Sequence, residues 1–193
     1  MPSERDALAE FKAAAEKYIA LIETAVKPAQ KKTRPKARRD DVLADFADAL
    51  STLYGRALHL PEIWDGAWTF DGEREFTDEE SERRAPIYRE LSQKFGGIDF
   101  YRTVVAFGRD ALDEHGQPLS DHLAGHLLSD DLGDIYWGLQ EGFDLLRAGG
   151  PEGEAVYTWH WGFWNHWAEH AVNALRIIHA RLPRANTLIG SEE

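Results

Sequence analysis

The 193-residue chain contains no cysteine. Disulfides, thiolate catalysis and cysteine-ligated zinc are therefore excluded. Long apolar runs are also missing, and none approaches the roughly 18 residues that a membrane span needs. The N-terminal stretch carries acids and lysines throughout, so it lacks the apolar core of a signal peptide. Positive charge is scarce: 22 Lys and Arg stand against 34 Asp and Glu, a net charge of −12. Such a balance disfavours nucleic acid as a partner, because phosphate contacts need clustered cations. No G-x-x-x-x-G-K, G-x-G-x-x-G or G-x-S-x-G string occurs, so phosphate-cradling loops and nucleophile elbows carry no signal. The expectation is a soluble cytoplasmic protein.

What is present is ordinary for a globular chain, at 43% hydrophobic and 29% charged residues. The length fits a single domain, residues 1–193, able to bury roughly two-thirds of its unfolded surface. One local charge reversal stands out. Lys27 to Arg39 holds seven basic residues and no acid. It reads as a solvated linker facing an acidic body, with contact to an anionic partner as the alternative.

Apolar periodicity predicts helices along most of the chain. Leu8, Phe11, Ala15, Tyr18, Ile19 and Ile22 form one amphipathic stripe over residues 4–26. Val42, Leu43, Phe46, Leu50, Leu53, Tyr54 and Ala57 form a second, which stops before Pro61. From Pro61 to Thr77 the period is lost, and Trp64, Trp68, Phe70 and Phe76 suggest an aromatic-anchored loop with a turn at Asp71-Gly72. Thr77, followed by Asp78, Glu79 and Glu80, starts a third helix that ends at Gly96-Gly97, with a kink or a late start expected at Pro86. Residues 98–107 are β-branched and aromatic, but without an obvious partner strand no sheet is expected. A short helical turn is expected over Ser120 to Leu128. A further helix starts at Ser129 with Leu132, Ile135, Tyr136, Leu139, Phe143 and Leu146 on its stripe. Leu123 and Leu127 fall off that stripe, so the helix breaks or restarts near Ser129. Gly149-Gly150-Pro151 makes a tight connection, which sets the last helix, Glu154 to Leu182, antiparallel to its predecessor. Residues 183–193 are expected to be a loose tail.

The candidate chemistry lies on these last two helices. The segment Val156 to His170 holds four of the seven tryptophans and three of the eight histidines. His166 and His170, at i and i+4, project side by side, the spacing with which two imidazoles bind one metal ion from a helix. His166 to His170 also matches H-x-x-E-H, the string of inverted zinc peptidases, but only Glu192 and Glu193 follow as the further downstream carboxylate ligand that such an enzyme needs, which disfavours that reading. On the preceding helix Asp131 shares a flank with Gly138 and Gly142, glycines that allow another helix to come close, and Asp134 lies further round. If the last helix packs there, Asp131 and Asp134 approach His166 and His170, a mixed site suited to zinc, iron, manganese or nickel. The same residues also fit a structural reading. Asp130 and Asp131 complement a helix dipole, and a helix-edge histidine commonly packs through hydrogen bonds. Acid–base catalysis without metal is a third reading. His122 and His126 form a weaker i, i+4 pair on the expected helical turn. Trp161 and Trp164 lie off the buried face and suggest a protein interface, most simply a homodimer.

The run Ser129-Asp130-Asp131-Leu132-Gly133-Asp134-Ile135-Tyr136 resembles a motif of a bacterial all-helical family. Gly142, Trp159, Phe163, His166-Trp167, His170, Ala174-Leu175-Arg176 and His179 extend the likeness, as does Leu58-His59-Leu60-Pro61. The family is the domain of unknown function numbered fifty-sixty-three, and the likeness covers most of residues 40–182. It implies an all-α cytoplasmic bacterial protein and no particular reaction. His126-Leu127-Leu128-Ser129 stands where that family has small residues, and the basic linker also departs from it. The fold expected is an all-α bundle of four main amphipathic helices, with short helices and an aromatic loop. The leading functional expectation is a non-catalytic protein acting through an interaction surface. The alternative is a metal-binding bundle, a hydrolase or an oxidoreductase, with Asp131, Asp134, His166 and His170 as ligands. No other cofactor is expected.

Overall fold

A computed structural model describes residues 3–27, 39–62, 77–104 and 123–182. These residues form α1 (Glu4–Val26), α2 (Arg39–Ala57), α3 (Asp78–Phe95), β1 (Phe100–Val104), β2 (Leu123–Leu127), α4 (Leu128–Arg147), α5 (Glu152–Gly162) and α6 (Ala168–Arg181). A π-helical turn, Phe163–Trp167, joins α5 to α6 into one long rod. The fold is mainly all-α, as expected: among the described residues α1, α2, α3, α4 and the α5–α6 rod carry it, with one small two-stranded sheet. None of them, among the described residues, is long and apolar enough to cross a membrane.

Local chemistry explains the helix ends. Ser3 and Asp6 form a reciprocal capping box at α1, and Thr77 and Glu80 form another at α3. With that start fixed, α3 runs without a break from Asp78 across Pro86, so the expected late start does not occur. Gly96, with φ of 55°, closes it. The tight connection after α4 is made at Gly149, whose φ of 79° few other residues tolerate.

Two sequence expectations are corrected between α3 and α4. Residues 123–127 are not helical; they pair antiparallel with residues 100–104, Tyr101 opposite His126. The partner residue of Tyr101 lies more than twenty residues downstream, where Gly125 and His126 obscure an extended pattern. This two-stranded sheet accounts for the restart of helicity at Leu128. Ile98, by contrast, falls in a short 3₁₀ turn before the sheet. Asp99 then caps α4 from a distance. Its Oδ1 accepts from the Ser129 amide at 2.7 Å, its Oδ2 from the Ser129 hydroxyl at 3.0 Å, and its carbonyl from the Leu128 amide at 2.8 Å. Ser129 is thus itself capped rather than acting as a cap.

Helix α4 is the centre of the bundle and packs against α1, α3, α5 and α6. It is buried nearly all round, including Leu128, Leu132, Ile135, Tyr136, Trp137 and Leu139, as a core helix must be. The long terminal rod packs its aromatic stripe on it. A Cβ at Gly142 would overlap the Trp159 indole, and one at Gly138 would lie 3.0 Å from Trp167. The glycines therefore set how close the helices come. Trp159 and Trp167 are fully buried, and the Trp159 indole donates to the Leu139 carbonyl at 2.9 Å.

The π turn follows from the same stripe. Trp159, Phe163, Trp167 and Ala171 are all buried and spaced four apart. Three turns of ideal α-helix consume about 11 residues, so a strict α-helix would rotate this series off the core. One wide turn absorbs the surplus residue. The Ala168 amide bonds back to the Phe163 carbonyl, and the Asn165 amide group reaches the Trp161 carbonyl at 2.9 Å.

Candidate functional site

The packing of α4 against the terminal rod brings Asp131 and Asp134 to His166 and His170. Asp131 is 1% exposed in the first turn of α4. Its Oδ1 lies 2.8 Å from His170 Nδ1. Its other oxygen accepts a hydrogen bond from the Tyr101 hydroxyl, delivered from β1. An ionised carboxylate only accepts, so His170 Nδ1 carries a proton and Nε2 is left as the free face of the ring. Nε2 points toward Asp134, 3.6 Å from its Oδ2. The other Asp134 oxygen accepts from the Tyr88 hydroxyl of α3 at 2.7 Å. His166, on the π turn, packs edge-on against His170 with ring centroids 4.9 Å apart.

One donor atom from each of Asp134, His166 and His170 lies within 4.8 Å of the other two. Ligands bound near 2.1 Å to a tetrahedral ion stand about 3.4 Å apart, so the cluster closes by small rotations, chiefly of the exposed His166. Asp131 is not in that cluster. It stands behind His170, in the arrangement by which a carboxylate orients a metal-ligating imidazole.

Burial and then the neighbouring charges shift the titration of these groups. Burial, then Asp134, Asp99 and Asp131, raise the pKa of Asp130. His170 is desolvated, which alone lowers its pKa, but the hydrogen bond it donates to Asp131 and the charges of Asp134, Asp131 and Glu169 outweigh that and raise it. His166 is held low by partial desolvation and by His170, against the opposing pull of Asp134. Tyr101 and Tyr88 are both raised, first by burial and then by the carboxylates that they serve, so both remain protonated donors. Beside Tyr88, Arg84 is buried and pairs with Glu141 at 2.7 Å.

The sequence singled out four residues here, and the fold brings all four together. It also supplies two tyrosines that sequence reasoning did not find. Tyr88 had one signal, Gly133, since a Cβ there would overlap the Tyr88 ring. Tyr101 had none, because its strand pairing is non-local. Of the second histidine pair, His126 lies on β2 and not on a helical turn, stacked on Tyr101 at 5.5 Å and 18°, and His122 falls outside the described residues. Residues 63–76 of the loop expected between Pro61 and Thr77, residues 28–38 of the basic linker and the expected tail, residues 183–193, also fall outside them.

A search of curated proteins finds no match to this chain. Its fold is similar to a crystal structure of a protein from Bacteroides fragilis, at 20% identity and a TM-score of 0.63, over 93% of this chain and 95% of that one. At that identity the likeness concerns the fold alone. The model of the domain of unknown function family 5063 matches residues 2–182, which include every residue of the site, and the chain belongs to that family.

Proposed function

We propose that the protein binds a divalent transition-metal ion through Asp134, His166 and His170. The observation that carries this reading is the orientation of His170: its Nδ1 is engaged by buried Asp131 at 2.8 Å, and its Nε2 faces Asp134 with His166 alongside. Two imidazoles and one carboxylate suit zinc, iron, manganese or nickel. The acids around Asp130 add an electrostatic reason for a cation, since their mutual repulsion is relieved by one. Among the described residues three side chains offer ligand atoms, and a three-ligand site leaves a position for water or substrate, which favours a reactive centre. With zinc it would lower the pKa of a bound water for hydrolysis; with iron the same donor set suits oxidoreductase chemistry. Titration of metal-free protein with Zn²⁺ by calorimetry tests it. One site per chain is expected, abolished by His170→Ala; no heat of binding to the wild type would overturn it.

A second reading, a protein-interaction surface or homodimer, is favoured by Trp164, which is 57% exposed on the outside of the π turn. Light scattering checks it: a dimer that Trp164→Ala converts to monomer supports it, and a monomeric wild type at high concentration counts against it.

A further inference from the structure

We propose that Tyr101 is a positioning residue of the metal site, acting on His170 through Asp131; the inference rests on the metal reading above. The two-stranded sheet is exposed on one side, with Phe100 56% exposed and Arg102 also facing out, and Tyr101 between them is turned inward to 6%. That alternation aims one side chain of β1 at α4. A phenylalanine would fill the same space, so the hydroxyl is the distinguishing group. It donates to the Asp131 oxygen that His170 does not use. Without it, a carboxylate 1% exposed would keep a buried oxygen unpaired, and its carboxyl plane would be free to turn. His126, directly opposite Tyr101 in the sheet, stacks on the ring at 5.5 Å and holds it in plane.

The sequence of effects is mechanical. Tyr101 fixes one oxygen of Asp131, so the other meets His170 Nδ1–H, so Nε2 is presented at one angle toward Asp134. Groups that orient a ligating histidine in this way typically change metal affinity by roughly 10–100-fold when removed. A residue that served only the fold would lower the stability of the metal-free protein and leave affinity unchanged.

The test uses the full chain, metal-free, titrated with Zn²⁺, with Co²⁺ absorption as a reporter of ligand geometry. Tyr101→Phe is expected to keep one site per chain, weaken Zn²⁺ about tenfold and shift the Co²⁺ bands. Asp131→Asn is expected to weaken binding at least as much, and the double variant no more than Asp131→Asn alone, because the tyrosine works through that carboxylate. Circular dichroism checks that each metal-free variant is folded. A Tyr101→Phe affinity within about twofold of wild type, with an unchanged Co²⁺ spectrum, overturns the inference and leaves the metal site standing. Additive losses overturn the route through Asp131. A wild type that binds no metal overturns the site and this inference together.

Discussion

His170 draws its character from two acids on the neighbouring helix, and its protonation has a defined effect on stability. Its pKa is raised in the fold despite desolvation, by Asp131, Asp134 and Glu169, with His166, Asp130 and Tyr101 also near it. A raised basic pKa stabilises the fold fully below the unfolded value of about 6.5, and that contribution is lost as pH rises through the folded value. His166 has the opposite sign, its depressed pKa costing stability as pH falls below about 6.5. In chelator, urea unfolding of wild type and His170→Gln should therefore differ more near pH 6 than near pH 8; a difference that grows with pH would contradict the assignment. Zn²⁺ competes with the proton on Nε2, so its affinity should rise over the same interval. At the core face, Gly142→Ala forces a methyl group into the Trp159 indole and should cost about 1–3 kcal/mol by thermal or urea melting.

The elements that hold these residues differ in how openly the sequence announces them. Helices α1, α2 and α4 are legible because their stripes are local: Phe11, Phe46 and Leu132 each belong to a run with the helical period, and all are buried. The meeting of α4 with the terminal rod was legible too, since Gly138 and Gly142 mark where a neighbour comes close. The β1–β2 pair was not, because pairing Tyr101 with His126 spans a sequence separation that no local pattern reports. The π turn shows in retrospect as the four-residue steps from Trp159 to Ala171, which a single period of 3.6 smooths over. It carries His166 against His170 while Trp159 and Trp167 stay buried. The sheet also anchors Asp99, which caps α4. Asp99→Ala removes that cap and should cost about 2 kcal/mol, read as a lower urea midpoint. An unchanged midpoint would show that α4 begins without it.

For the whole molecule, a net charge of −12 adds self-repulsion, and the proposed cation would reduce it around Asp130, Asp131 and Asp134. An ion that binds only the folded chain stabilises it by about 2.7 kcal/mol at a hundredfold excess over Kd. For a chain of this size that corresponds to a melting temperature higher by roughly 5–10 °C. The rise should be absent in the His166→Ala, His170→Ala double variant. Elemental analysis of full-length protein, purified without a histidine tag, tests the central claim most directly. The expected result is about one transition-metal ion per chain in the wild type and none in the folded double variant. A folded wild type that holds no metal, even after dialysis against zinc, iron, manganese and nickel in turn, would contradict it.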